Sequence, residues 1–286
     1  MEATGHGGTS DVFRVSRNGT TFYVRLAEGI GEDMAAEAWV HEELRRRGAR
    51  VPEVVAVEPT REPLGRGALV VTEMPGRPLT AAHGLSPDVL RRVVTRAGRD
   101  VAIIGQLRVE GFGFVSRDRS SSLAADLPTA RALLLGPVPA MLDRLEPGAL
   151  GRALADRARS VIATYGSLLE RAESRLAHGD FDATHIYVDR DRYAGIIDFG
   201  EMRGAPPLFD AGYFAAHAAQ LEVPTLSSLL EGYAEHAELP DQHETVVPLL
   251  GLLVALRQLD VVAGRGLRGY EALLRSAVER LTAQLS

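Results

Sequence analysis

Short apolar runs bounded by turn residues dominate the first quarter of the chain and predict β-strands. Asn18 and Gly19 are a two-residue turn signal of the kind that joins antiparallel strands. Before this turn, a glycine-rich turn leads into a predicted strand that ends at Val15. One helix is predicted in this region, over residues 32–48, with Gly48 as its stop signal. The other strands are predicted over residues 21–26, 51–57 and 67–74.

Beyond Pro75 and Gly76, which break the chain, most apolar residues recur at helical spacing. Ser86 is a suitable N-cap for the first helix, with Pro87 at its first position. Residues 109–115 are a Gly/Phe loop whose aromatics we expect to pack, and residues 117–126 are a polar, Ser-rich stretch that predicts a mobile surface loop. The helices are predicted over residues 86–106, 131–145, 149–175, 213–217, 225–236, 245–262 and 270–285.

One stretch, from His178 to Asp210, carries the most specific signal. Two apolar runs, residues 185–188 and 193–197, are separated by four polar residues, which predicts a β-hairpin. The outer ends of a hairpin lie side by side, so Asp180 and Asp198 should face one another across a cleft. Such a pair suits phosphoryl transfer, in which one Asp orients or deprotonates a hydroxyl and the other holds Mg²⁺ on the nucleotide phosphates.

The pattern of this stretch resembles the antibiotic-kinase family. It reads His-Gly-Asp, a side-chain ligand five residues on, an apolar strand, Ile-Asp-Phe-Gly, and a later Pro and Asp. That family contains the aminoglycoside and macrolide phosphotransferases and is related to choline kinase and, more distantly, to protein kinases. The resemblance implies an α+β, bilobal, protein-kinase-like fold. A small β-rich nucleotide-binding lobe would span residues 1–75, and a larger, mainly helical catalytic and substrate-binding lobe would span residues 76–286.

The resemblance also assigns roles within the hairpin. Asp180 would be the catalytic base, His178 its structural neighbour and Asp198 a metal ligand. His185 stands where the commonest pattern has a metal-binding Asn, and macrolide phosphotransferases are similar in having His there. Imidazole is a less usual Mg²⁺ ligand than an amide oxygen, so His185 either binds metal, acts through a water or hydrogen-bonds Asp180. Asp210 matches the later Asp that braces the catalytic loop.

In the first lobe, the resemblance implies contacts to ATP or GTP. Arg25 stands where kinases have a phosphate-binding Lys, and its guanidinium can fork onto two phosphate oxygens. Glu37, on the following helix, would pair with it. The ordinary alternatives are a flexible glycine-rich tail, an Arg25 side chain that extends to solvent and a solvated Glu37. The implied nucleotide contacts are Gly7, Gly8, Ser10, Arg25, Glu37, Glu73 and Met74, with adenine read by backbone groups around the last two.

The implied function is an ATP- or GTP-dependent O-phosphotransferase that uses Mg²⁺ and phosphorylates a hydroxyl of a small molecule, an antibiotic, so conferring resistance. Two alternatives stay open. One is a metabolic kinase acting on a small alcohol such as choline, homoserine or a sugar. The other is a regulatory pseudokinase, suggested by Arg25, His185 and Ala205, where Ala205 replaces an Asp that is usual in the family.

Composition narrows the setting. The 286 residues include no Cys, which excludes disulfides and thiolate zinc sites, and no Lys, which excludes a P-loop. A net charge of −6 disfavours nucleic-acid binding. There is no uninterrupted apolar run long enough to span a bilayer, so we expect a cytoplasmic protein with no membrane contact and no obligate protein partner. We expect most of the C-terminal acids to lie on solvated helix faces, while one or two could bind a cationic sugar. The candidates are Glu222, Glu231, Glu235, Glu238, Asp241, Glu244 and Asp260.

Overall fold

Five antiparallel strands form the sheet that the opening part of the chain predicts. The structure is a computed structural model that describes residues 2–3, 11–27, 29, 32–58, 65–116 and 122–286. The strands lie in the order β1-β2-β3-β5-β4. Asn18 and Gly19 both have positive φ, as the predicted hairpin turn requires. The strands are β1 (Glu2–Ala3), β2 (Val12–Arg17), β3 (Thr20–Leu26), β4 (Val54–Glu58) and β5 (Ala68–Thr72).

The predicted helix of this region is α1 (Ala35–Arg46). It begins three residues later than predicted because the Asp33 carboxylate accepts hydrogen bonds from the N–H groups of Met34 and Ala35, at 2.6 and 3.1 Å. The chain leaves the helix at Gly48, whose φ is 93°. Fully buried side chains on this helix, including Val40 and Leu44, join the main core of the protein. Ala38 on the same helix packs with Leu69 of β5, which fixes the helix against the sheet.

The chain passes from the sheet to the helical region through Gly76, which lies against the predicted hairpin. A Cβ at Gly76 would overlap the carbonyl of Val188, so a side chain would push the crossing segment away. Directly after it, β6 (Arg77–Pro78) pairs with the hairpin strand β11 (Ile186–Asp189), and β11 pairs with β12 (Arg192–Ile196). The predicted hairpin is confirmed. The division of the chain at residue 75 stays a prediction.

Helices supply most of the remaining structure, as predicted. Ser86 caps the first of them, its Oγ accepting from the N–H of Val89. The C-terminal helices all occur where they were predicted. The helices are α2 (Pro87–Ile104), α3 (Ala130–Leu134), α4 (Val138–Leu145), α5 (Arg152–Tyr165), α6 (Phe209–Ala216), α7 (Leu226–Ala234), α8 (His243–Val262) and α9 (Arg268–Leu285).

Three predictions for the middle of the chain were wrong. The helix predicted over residues 131–145 is interrupted by a turn at residues 135–137 and forms α3 and α4. The helix predicted over residues 149–175 ends with a 3₁₀ turn at Leu169, and the chain then forms β10 (Arg175–Ala177), which pairs with β13 (Arg203–Ala205). The described end of the polar stretch 117–126 is also not a surface loop. Its β9 (Leu123–Ala124) pairs in parallel with β7 (Val109–Glu110), and the Leu123 side chain is buried. Nearby, β8 (Gly113–Phe114) pairs with β13.

In the described part of the chain, helix α8 could cross a membrane by its length and composition, which was not predicted from sequence. About two thirds of its apolar window is buried inside the protein, against α6 and α9 among others. Burial in a protein core explains the same composition. Helix α8 is therefore a buried core helix of the helical region.

Candidate active site

The loop that follows β10 carries His178, Gly179 and Asp180. Gly179 has φ 87°, and a Cβ there would overlap the carbonyl oxygen of Glu201, so only glycine fits. The buried Asp210 carboxylate accepts hydrogen bonds from the N–H groups of His178 and Gly179, at 2.8 and 3.0 Å. Asp210 therefore braces the loop of residues 178–180, as the family resemblance implies. Burial raises the pKa of Asp210 to about 6, although these two bonds oppose the shift.

His178 joins this loop to the second hairpin strand. Its Nε2 lies 2.8 Å from the carbonyl oxygen of Ile197 and therefore donates to it, while its Nδ1 accepts from the N–H of Asp180 at 3.3 Å. Burial, and secondarily His185, lowers the pKa of His178 to about 4. The neutral ring satisfies both hydrogen bonds, which suits the predicted role of a structural neighbour of Asp180.

His185 lies between the two predicted catalytic carboxylates. Its Nε2 is 3.9 Å from Oδ2 of Asp180 and 3.9 Å from Oδ2 of Asp198. Its Nδ1 is 2.6 Å from the Asp180 carbonyl oxygen and must donate to it, because a carbonyl only accepts. In the neutral ring, the lone pair on Nε2 therefore faces two carboxylates. That arrangement favours a cation among the three groups.

The residues at this point fit Mg²⁺ in the way nucleotide-dependent enzymes hold it. Mg²⁺ is usually bound by one or two carboxylates, with phosphate oxygens and waters as the other ligands. The Asp198 carboxylate is half-exposed, and its Oδ1 accepts from Arg25 and from the N–H of Gly200, which leaves Oδ2 toward His185. Within the described ranges, no group of three His, Asp or Glu side chains is close enough to hold a metal alone.

Arg25 connects the sheet to this centre. Its Nη1 lies 3.2 Å from Oε1 of Glu37 and 2.8 Å from Oδ1 of Asp198. Arg25 and Glu37 are both buried, which excludes the alternatives of a solvent-directed Arg and a solvated Glu. Burial raises the pKa of Asp198, but the charge of Arg25 and the hydrogen bond from the N–H of Gly200 oppose this effect, and the pKa lies below its ordinary value. A Cβ at Gly200 would overlap Nη2 of Arg25, so this glycine makes room for the guanidinium.

Two side chains that were not predicted from sequence position the candidate base, one directly and one through the other. The Tyr213 hydroxyl on α6 donates to Oδ1 of Asp180, and the Gln258 amide on α8 donates to the Tyr213 oxygen. Burial and then the Asp180 carboxylate raise the pKa of Tyr213 well above its ordinary value, so the hydroxyl keeps its proton. One signal could have indicated Tyr213, since it follows the bracing Asp210 by three residues and so shares its helix face.

A cavity of about 460 Å³ opens over these groups, and we call it the site cavity. It is bounded by Val12 and Arg25 of the sheet, the loop at Asp180, Asp198 and the helical region. Among its described lining residues there is none of the seven C-terminal acids predicted as candidates for binding cationic sugars, and α8 contributes Arg257 instead. Most of these acids are exposed, as expected, and a contact of any of them with a cationic sugar stays a prediction. Asp260 pairs with Arg144.

The predicted nucleotide contacts have different outcomes. Gly7, Gly8 and Ser10 lie outside the described residues. Glu73 accepts side-chain hydrogen bonds from Arg14 and Tyr23, at 3.4 Å, and the end of the Met74 side chain lies against Gly195 of the hairpin. Neither Glu73 nor Met74 is among the described lining residues of the site cavity. Their contact with adenine stays a prediction.

The aromatics of residues 109–115 divide between packing and the site. Phe112 is buried, as predicted. Phe114 is 52% exposed, lines the site cavity and lies against the guanidinium of Arg203, 4.7 Å from the ring centre. Its exposed ring is available to a ligand, which the expectation of simple packing missed.

Comparison with protein families gives one match. The model of the APH phosphotransferase enzyme family matches residues 2–246 of the chain. Among curated protein sequences, none matches the chain significantly.

Several solved structures are similar in fold. APH(4)-Ia, in ternary complex with AMP-PNP and hygromycin B, has a TM-score of 0.68 and 14% identity, covering 99% of this chain and 93% of that one. APH(2″)-IIIa with GDP and kanamycin has a TM-score of 0.65 and 16% identity, covering 99% and 92%. Macrolide 2′-phosphotransferase MphH from Brachybacterium faecium has a TM-score of 0.59 and 16% identity, covering 96% and 90%. These likenesses confirm the predicted α+β, kinase-like fold.

Proposed function

Because this chain belongs to the phosphotransferase enzyme family, we propose that it transfers the γ-phosphoryl group of ATP or GTP, with Mg²⁺, to a hydroxyl of a small molecule in the cytoplasm. The observation that carries the proposal is the position of His185, with Nε2 3.9 Å from a carboxylate oxygen of Asp180 and from one of Asp198. The candidate base and the candidate metal ligand thus line one cavity, and this supports phosphoryl transfer.

Asp180 would act as the base. Tyr213 holds Oδ1, so Oδ2 is the oxygen that would accept the proton of the acceptor hydroxyl. The hydroxyl oxygen forms a bond to the γ-phosphorus, the bond from that phosphorus to the bridging oxygen breaks, and the nucleoside diphosphate leaves. Because Asp180 is fixed by Tyr213 and by the loop that Asp210 braces, much of the cost of orientation is met before the acceptor binds.

Asp198 and His185 would hold Mg²⁺, which when bound would neutralise charge on the β- and γ-phosphate oxygens. Arg25 would contact the α- and β-phosphates, kept in place by Glu37 at 3.2 Å. Arg25 also pairs with Asp198 in the structure, at 2.8 Å. Nucleotide binding would therefore exchange one carboxylate partner of Arg25 for phosphate oxygens.

We further propose that the acceptor is an antibiotic and that phosphorylation confers resistance. Support comes from the similar folds, whose structures contain hygromycin B with AMP-PNP and kanamycin with GDP. A metabolic small alcohol is the alternative acceptor, because the fold does not select among acceptors. A pseudokinase is disfavoured, since Asp180, His185 and Asp198 are all present in one cavity.

The test is coupled ADP or GDP release with Mg²⁺ and ATP or GTP. The acceptor panel contains aminoglycosides, macrolides and small metabolic alcohols, and the control is Asp180→Asn. Turnover with one class, abolished in the control, supports the proposal. Expression in a susceptible bacterium then tests resistance. Nucleotide binding without turnover on any acceptor contradicts the enzyme and favours the pseudokinase.

A further inference from the structure

The acceptor side of the site cavity, beyond Asp180, is largely apolar. Its lining includes Phe114, Val254, Val261 and Tyr270. Phe114 and Val261 are 52% and 49% exposed, although large apolar side chains in the described part of the chain are mostly buried. Apolar side chains exposed within a concave site are the usual lining for a ligand with an apolar face. This lining indicates an acceptor with an apolar scaffold.

One carboxylate on this side is already neutralised. The Glu201 carboxylate accepts from Nη2 of Arg203 at 2.9 Å, and Nε of Arg203 donates to the Glu201 carbonyl oxygen at 3.1 Å. The Arg203 guanidinium also lies against the rings of Phe114 and Phe209, 4.7 and 5.6 Å from their centres. Glu201 and Arg203 therefore form a fixed, nearly neutral pair, which leaves Asp180 as the carboxylate on this side that is not paired with an arginine.

A second guanidinium on this side, that of Arg257, has no such partner among the described residues. Arg257 lies on α8 and is half-buried, and in the described part of the chain no carboxylate oxygen lies within 4.0 Å of it. Burial, and then the charge of Arg257, lowers the pKa of Arg203, so the two cations are close enough to interact. A half-buried charge without a counter-ion is costly, and a bound anion would offset that cost.

Resting on the function proposed above, we propose that the acceptor combines an apolar scaffold with a carboxylate that pairs with Arg257, and that polycationic sugars are poor acceptors. One carboxylate would balance the Arg257 guanidinium and would match the planar fork of its N–H donors. A polyamine would instead meet two arginines, with Asp180 and the already paired Glu201 as the carboxylates on this side. With its carboxylate on Arg257, the acceptor would direct its hydroxyl toward Asp180.

Three small probes with the same phenyl and hydroxyl groups test this preference. Mandelate carries a carboxylate, methyl mandelate is neutral and 2-amino-1-phenylethanol is a cation. Their dissociation constants would be measured by ligand-observed NMR titration of the full chain with Mg²⁺ and AMP-PNP. We expect mandelate to bind about tenfold more tightly than the other two, as a charge-assisted hydrogen-bonded pair would give.

The variants Arg257→Gln and Arg275→Gln remove the same charge from different places. Arg275 is exposed on α9 and pairs with Glu279 at 3.3 Å, away from the site cavity. The preference for mandelate should disappear in Arg257→Gln, persist in Arg275→Gln and be partly kept in Arg257→Lys. Thermal unfolding of each variant would confirm that it is folded.

Three results would overturn the inference. They are equal or undetectable affinity for all three probes, tighter binding of the amine, and a preference that survives Arg257→Gln. Weaker AMP-PNP binding in Arg257→Gln, with mandelate binding unchanged, would also overturn it, because the guanidinium would then serve the nucleotide. Failure of the proposed function is separate, since it appears as no Mg²⁺-dependent nucleotide binding and no ADP release that depends on Asp180.

Discussion

The hydroxyl of Tyr213 donates a hydrogen bond to Oδ1 of Asp180. Tyr213 is itself held by the Gln258 amide, so α6 and α8 together fix the orientation of the candidate base. The other oxygen, Oδ2, faces His185 and the site cavity. One oxygen of Asp180, Oδ1, is thus used for positioning, and the other, Oδ2, is free to accept a proton.

The change Tyr213→Phe tests this division. We expect kcat to fall about ten- to a hundredfold, because Asp180 loses its fixed orientation, while nucleotide affinity stays unchanged. Steady-state ADP release and a nucleotide titration measure the two effects. Tyr233→Phe, at another buried tyrosine on α7, is the matched control and should be nearly neutral. An unchanged kcat in Tyr213→Phe would show that the hydrogen bond does not contribute to catalysis.

The close contact of Gly200 with Arg25 gives a second prediction. In Gly200→Ala, the new Cβ would overlap Nη2 of Arg25 and displace the guanidinium from Glu37 and Asp198. We expect nucleotide affinity to fall about tenfold, the loss typical of a charge-assisted hydrogen bond. Gly148→Ala, where a Cβ meets open space, is the control. Equal nucleotide affinity in both variants, measured by titration, would contradict the proposed role of Arg25.

The elements predicted correctly from sequence depend on residues a few positions apart. The Asn18-Gly19 turn, the Ser86 cap and the hairpin before Asp198 are local arrangements, so the sequence pattern is sufficient to find them. The cleft between Asp180 and Asp198 followed from the hairpin alone. The family resemblance added the roles of Arg25 and its partner, which lie far from the hairpin along the chain.

The features that sequence did not predict depend on contacts between distant residues. Tyr213 is 33 residues from Asp180, and Gln258 is a further 45 residues along, so only the packing of α6 and α8 brings them together. The helix predicted over residues 149–175 ended early for a related reason. β10 must be extended to pair with β13, and residues 170–175 contain no local signal that predicts this distant pairing.

Replacement of His185 tests how the metal is held. In His185→Asn, an amide oxygen suits Mg²⁺ at least as well as imidazole, so we expect activity within about tenfold of the wild type. In His185→Ala we expect a loss of about ten- to a hundredfold and a higher Mg²⁺ concentration for half-maximal rate. ADP release titrated with Mg²⁺ after EDTA treatment measures both quantities. If His185→Asn were as inactive as His185→Ala, metal positioning would not be the role of His185.

Two buried groups beside the base have opposite linkage to pH. The pKa of His178 is lowered to about 4, so protonation opposes folding and its contribution to stability falls as pH drops from about 6.5 toward 4. The pKa of Asp210 is raised from 3.8 to about 6, so the folded protein binds its proton more tightly than the unfolded chain does. The pH dependence of the wild type alone therefore mixes two opposing effects.

The difference between the wild type and Asp210→Asn separates the contribution of Asp210. Because the folded pKa is raised, this contribution is fully present below about 4 and is lost as pH rises through about 6. The free energy of unfolding of the wild type relative to the variant should therefore fall by ~3 kcal/mol over that range and stay constant above it. Urea unfolding at several pH values measures it. A flat difference between the wild type and Asp210→Asn would mean that Asp210 keeps an ordinary pKa.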